Sequence, residues 1–176
     1  STHDGMKRES SAGKQGGRTV GIQRLIGRSL RMSADLLKVG ENPPYRHCDV
    51  IEADGGTRCG GTTGAATALA IACRRGVAKG IFPENPFKES VAAISVGVIG
   101  GVPMLDLCYE EDSNAEVDMN VVMTESGKLV EVQGTAEGEP FSRARLNELI
   151  DLAEHGLKQV FAMQREAVET ALEVRP

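Results

Sequence analysis

Val91-Ala92-Ala93-Ile94-Ser95-Val96-Gly97-Val98-Ile99 is a nine-residue run with no charge and almost no polarity. Its length and β-branched content predict a largely buried strand. Gly100-Gly101 follows, then Val102 to Leu107, so the chain turns back on itself as a hairpin. A second hairpin is predicted from Asn120 to Thr124 and Leu129 to Gln133, turning at Glu125-Ser126-Gly127-Lys128. Hairpins imply antiparallel pairing, and helices are expected to cover one face of the resulting sheet. The fold class is α+β, a mixed α/β sandwich.

Outward from this centre, the pattern supplies the helices. Ile22, Leu25, Ile26, Ser29, Leu30, Ser33 and Leu37 follow helical spacing within a helix predicted over Thr19 to Leu37. Arg24, Arg28 and Arg31 fall together on its other face. They read either as a solvated surface or as an RNA track or subunit contact. Gly40 and Pro43-Pro44 stop this helix, and Tyr45 to Ala53 reads as a strand. An Ala-rich helix is predicted over Thr62 to Arg75, because Cys59-Gly60-Gly61 before it is weak helix material. Lys79 to Glu89 is a proline-marked loop. Pro140 and Ser142 open a last helix whose apolar face is Leu146, Leu149, Ile150, Ala153, Leu157, Val160, Phe161, Gln164 and Val168. Residues 1–17 are polar and glycine-rich, and a loop or mobile arm is expected there.

The bulk numbers narrow the function classes. At 176 residues the chain can bury a proper core as one domain. Only 3% of residues are aromatic, with no Trp, so base-stacking platforms are not expected to dominate. No run of eighteen apolar residues exists, and no membrane partner is expected. Cys48, Cys59, Cys73 and Cys108 lack CxxC spacing and read as reduced thiols of a cytoplasmic protein, with zinc unsupported. His3, His47 and His155 are scattered, and no Ser or Cys has a recognisable partnered base.

Charge is unevenly spread. Residues 1–31 carry Lys7, Arg8, Lys14, Arg18, Arg24, Arg28 and Arg31 against Asp4 and Glu9. Residues 106–118 carry Asp106, Glu110, Glu111, Asp112, Glu116 and Asp118 with no base. A basic start and an acidic centre suit phosphate capture and cation capture. Two glycine pairs, each followed closely by arginine, precede helices: Gly16-Gly17-Arg18 and Gly55-Gly56-Thr57-Arg58. Glycine lets backbone N–H groups face an anion at a helix start, and arginine adds a planar fork for phosphate oxygens. Neither matches a GxxxxGK[ST] loop or a GxGxxG fingerprint. Asp112, expected in a loop, and Asp118, expected at a strand start, can converge on one Mg²⁺. Taken alone, that pair also reads as two solvated turn carboxylates. Together these groups suit attack of inorganic phosphate on an RNA phosphodiester, a reaction needing positioning and electrostatics more than acid–base groups.

At these residues the sequence resembles the ribonuclease PH family, phosphate-dependent 3′-exoribonucleases acting on tRNA precursors. The resemblance runs in order through Gly13-Lys14-Gln15-Gly16-Gly17-Arg18-Thr19, Ile22 to Ile26, Cys48-Asp49-Val50, and Ala53 to Arg58. It continues through Ala92 to Gly97, Glu111-Asp112-Ser113, Asp118 to Thr124, and Glu131 to Phe141. It implies a ribosomal protein S5 domain 2-like fold and a homo-oligomer, a hexameric ring of dimers. It implies phosphate held by Arg18, Gly56, Thr57 and Arg58, and Mg²⁺ and the chemistry served by Asp112 and Asp118. It implies that Arg8, in the family's basic arm, touches RNA or a neighbouring subunit, with tRNA and other RNA 3′ ends as partners; RNA contacts are also expected at Lys14 and Arg24. Trimming of tRNA and processing of rRNA would release nucleoside diphosphates. An inactive RNA-binding ring or scaffold subunit is the alternative. Relative to the family the chain reads as one domain, residues 1–176, lacking N-terminal strands, with a basic arm at 1–17 and a C-terminal helix at 142–176. Two departures stand out: Gly5 replaces the usual arginine, and Cys59-Gly60-Gly61 replaces Thr-Ala-Ser beside the phosphate turn.

Overall fold

The buried run 91–99 forms the centre of a four-stranded antiparallel sheet in the computed structural model, which describes residues 16–35, 38–39, 48, 50, 52 and 54–173. The elements are α1 (Gly17–Ser33), α2 (Thr57–Ala78), β1 (Val91–Ile99), β2 (Val102–Leu105), α3 (Tyr109–Ser113), β3 (Val117–Thr124), β4 (Leu129–Ala136) and α4 (Arg143–Glu173). The strand order is β2-β1-β3-β4. Both hairpins form, and β1 and β3 pair along eight residues, from Val91↔Thr124 to Val98↔Val117.

Helices cover both faces of this sheet, which corrects the expectation of one. Ala92, Ile94, Val96 and Val98 of β1 pack with Met119, Val121 and Met123 of β3 against Leu149, Ala153, Leu157 and Phe161 of α4. Val91, Ala93 and Val122 point the other way, into a second cluster with Leu25 and Leu30 of α1 and Ala65, Ala66, Leu69 and Cys73 of α2. Alternate residues of one strand feeding two cores explains why β1 shows no polar alternation. Ser29 and Ser33 sit in the α1 stripe as read, fully buried, each donating to the carbonyl four residues back.

Because β2 reaches only residues 96–99 of β1, the edge of 91–95 needs other partners. Thr63 Oγ1 accepts the Ala93 N–H at 3.0 Å, and Gln164 Nε2 donates to the Val91 carbonyl at 3.2 Å. Gln164 also donates to the Thr63 carbonyl at 3.0 Å and to Thr67 Oγ1 at 3.1 Å, tying α4, α2 and β1 together.

Helix α2 begins at Thr57, five residues ahead of the expected start, because packing overrides the weak propensity of Cys59-Gly60-Gly61. Cys59 is buried, and a side chain added at Gly61 would already touch Ile26 of α1. β3 begins at Val117 and β4 runs to Ala136, both longer than read, while β2 ends at Leu105. The strand expected over 45–53 lies mostly outside the described residues, and 48, 50 and 52 are not in a strand. The arm at 1–15, Leu36, Leu37, His3 and His47 also lie outside the described residues.

At Gly97, opposite Asp118, an added Cβ would strike the Val117 carbonyl oxygen and the Leu107 side chain. Gly97→Ala is expected to lower stability by about 1–3 kcal/mol in urea unfolding. Gly138→Ala, at a position where a Cβ meets nothing within 4 Å, should stay within about 0.5 kcal/mol of the parent. Equal midpoints for the two variants would contradict the tight β1–β3 contact.

Candidate active site

The start of α2 is built on two left-handed glycines, Gly55 (φ 77°) and Gly56 (φ 57°). Gly55 is needed twice over. Its backbone conformation disfavours other residues, and an added Cβ would lie 2.7 Å from the Leu107 carbonyl oxygen and 2.9 Å from Tyr109 N. Asp54 Oδ1 accepts the Tyr109 N–H at 3.2 Å, so the turn is fastened to the start of α3. Gly56 caps α2 without a side-chain hydrogen bond, leaving the first-turn N–H groups open toward an anion. The other glycine pair differs: Gly16 is extended (φ −66°) and Gly17 is already in α1.

Arg58 follows within this first turn. Its carbonyl accepts the Thr62 hydroxyl at 2.9 Å, and its guanidinium donates to Gln133 Oε1 on β4. Neighbouring Cys59 donates its thiol to Asn120 Oδ1 on β3 at 3.0 Å. Burial pushes that thiol up to about 12, despite the opposing charge of Arg58, so it serves as a neutral donor and not as a nucleophile.

Asp112 lies on α3, which replaces the expected loop. This short helix starts with a capping box in which Glu111 accepts the Cys108 N–H at 3.0 Å. Cys108 is not among the usual capping residues, so the signal was absent from the sequence pattern. Asp118 sits one residue into β3, as read. Its carboxyl is held above the ordinary value by burial first, then by the charges of Asp112 and Glu137, while Arg58 pulls it down. Arg58 and Asp112 therefore both lie near enough to Asp118 to act on its charge. Asp118 Oδ1 is buried with no hydrogen-bond partner.

Residues 89–156 match the family described as "3′ exoribonuclease family, domain 2". That segment resembles the second domain of this family. Two solved structures are similar in fold. Rice (Oryza sativa) Rrp46 gives a TM-score of 0.65 at 16% identity, over 90% of this chain and 69% of that one. The Archaeoglobus fulgidus exosome with RNA bound to its active site gives 0.61 at 17% identity, over 85% of this chain and 62% of that one. This chain thus spans about two thirds of their lengths.

In this ribonuclease PH-like fold the matched segment contains Asp112 and Asp118, while Gly56, Thr57 and Arg58 lie ahead of it. Thr57 opens α2 beside them. Arg18 is in the first turn of α1, with its side chain outside the described set, as are Arg8 and Lys14. Arg24 is exposed on α1 and lines a shallow groove with Gln23, Gly27, Arg28 and Arg31. Arg28 pairs with Glu131 of β4. Gln133, Asn120 and Glu137 stand near these residues without a motif of their own in the sequence. Strand alternation was the available signal: Asn120 pairs Gln133 and Asp118 pairs Thr135, so all share one sheet face.

Among the described residues no group of three or more His, Cys, Asp or Glu forms a metal cage. Two convergent carboxylates with an unpartnered buried oxygen fit Mg²⁺, which keeps few protein ligands and takes substrate phosphates for the rest.

Asp118 binds its proton more tightly folded than unfolded, so its contribution to stability falls as pH rises through the carboxylate range. In the presence of a chelator, Asp118→Asn is expected to melt above the parent at pH 7, and the gap should close as pH drops below the ordinary carboxylate value. A variant melting below the parent at pH 7 would contradict like-charge crowding as the governing effect.

Proposed function

We propose that this chain is a phosphorolytic 3′→5′ exoribonuclease that shortens RNA, with tRNA precursors and rRNA among its substrates. The observation carrying this reading is the buried, unpartnered carboxyl oxygen of Asp118, crowded by Asp112 beside Arg58, in a chain whose residues 89–156 match the 3′ exoribonuclease family. Orthophosphate rests against Arg58 and the open N–H groups at the start of α2. One of its oxygens attacks the phosphorus of the last phosphodiester. The bond to the 3′ oxygen of the preceding nucleotide breaks, and that oxygen keeps the electron pair and takes up a proton. The products are a nucleoside diphosphate and RNA one nucleotide shorter. Asp112 and Asp118 would hold Mg²⁺, which supplies neutralisation of charge developing on the phosphoryl oxygens.

Arg24, Lys14 and Arg8 are proposed to lead the RNA backbone to the site, and Arg18 to add a second guanidinium to the phosphate. The ring-forming reading, a homo-hexameric ring built from dimers in the cytoplasm, follows the family resemblance. No helix among the described residues is long and apolar enough to cross a membrane.

The test is release of nucleoside diphosphates from a 3′-extended tRNA on adding orthophosphate. Arg58→Ala is expected to abolish phosphate dependence with little change in melting temperature. Asp112→Asn or Asp118→Asn should cut turnover by about 10²–10³, the size of losing one preorganised electrostatic group. A parent protein that binds RNA yet releases nothing with phosphate would favour the inactive scaffold instead. Unchanged phosphorolysis by Arg58→Ala would remove that residue from the phosphate site.

A further inference from the structure

We infer that Gln133 is the positioning residue for Arg58, and that its neutral carboxamide sets the affinity for phosphate. The inference rests on the phosphate role proposed above for Arg58. Gln133 lies on β4 opposite Asn120 and faces the candidate site, where its Oε1 accepts a hydrogen bond from Arg58 Nη1. The Arg58 backbone is held separately, through the Thr62 hydroxyl on its carbonyl. One guanidinium N–H is thereby committed to β4, and the remaining donors of the five stay available to an anion. A long side chain that must be ordered on binding lowers affinity, and restraining it beforehand removes that cost.

The chemical type of the restraint matters. Two residues earlier on the same strand face, Glu131 pairs with Arg28 and answers one full charge with another. A carboxylate at 133 would do the same to Arg58 and compete with phosphate for it. The carboxamide orients the guanidinium without neutralising it. Gln133 is exposed and outside both apolar cores, so its replacement leaves the fold's packing untouched.

The experiment measures phosphorolysis by the full chain against orthophosphate concentration, with orthophosphate binding followed in parallel by thermal shift. Gln133→Ala is expected to raise KM for phosphate about tenfold, the effect of one hydrogen bond to a charged group. Its kcat, its KM for RNA and its melting temperature without phosphate should stay within about twofold or a few degrees of the parent. Gln133→Glu should raise KM for phosphate further than Gln133→Ala. A merely structural role would move kcat, both KM values and melting temperature together, and would overturn the inference. A parent that turns over with phosphate, beside a Gln133→Ala variant of unchanged phosphate KM, overturns this inference alone. A parent that binds phosphate without turnover still tests it, through the weaker thermal shift expected of Gln133→Ala. A parent that binds no phosphate overturns both this inference and the proposed function.

Discussion

The backbone contact between Gly55 and residues 107–109 is the constraint on which the candidate site depends. A Cβ at Gly55 would sit inside van der Waals distance of three backbone atoms there, so only glycine permits the approach. Through that contact the N-terminal end of α2, with its open N–H groups and Arg58, is set beside α3, which carries Asp112. The Asp54 hydrogen bond to Tyr109 holds the same junction from the other side. A cationic feature and an anionic feature far apart along the chain thus become neighbours through one missing methyl group.

The sheet supplies the other half of the placement. β1 is buried on both faces because α4 covers one side and α1 with α2 the other. Its neighbour β3 presents Asp118 and Asn120 on the α2 side, and β4 presents Glu131, Gln133 and Thr135 in register with them. Arg58 and Cys59 both reach this face, through Gln133 and Asn120. The candidate site is therefore a sheet surface beside the first turn of a helix, with polar partners fixed by strand register.

Its electrostatics set crowded carboxylates beside a guanidinium. Asp118 is crowded by Asp112 and Glu137, and burial raises the cost of its charge. Such crowding is unfavourable in the isolated chain. A perturbed carboxyl such as that of Asp118 is where functional groups concentrate. The exosome of Archaeoglobus fulgidus, which shares the fold, holds RNA at its active site.

What the residues alone determined was whatever depends on local periodicity. The uncharged run 91–99, the two hairpins and the stripe from Leu149 to Val168 follow from side-chain spacing, and so do the glycine turn ahead of Arg58 and the identity of Asp112 and Asp118 as candidates. Tertiary structure alone decided the rest. It extended α2 back through Cys59-Gly60-Gly61, where packing against α1 outweighs poor propensity, and it formed α3 on a cysteine cap. It put helices on both faces of the sheet, since burial on two sides erases the alternation that would have announced one. It brought Gln133 to Arg58, because a contact across 75 positions arises from register and close backbone approach, neither of which a linear pattern encodes.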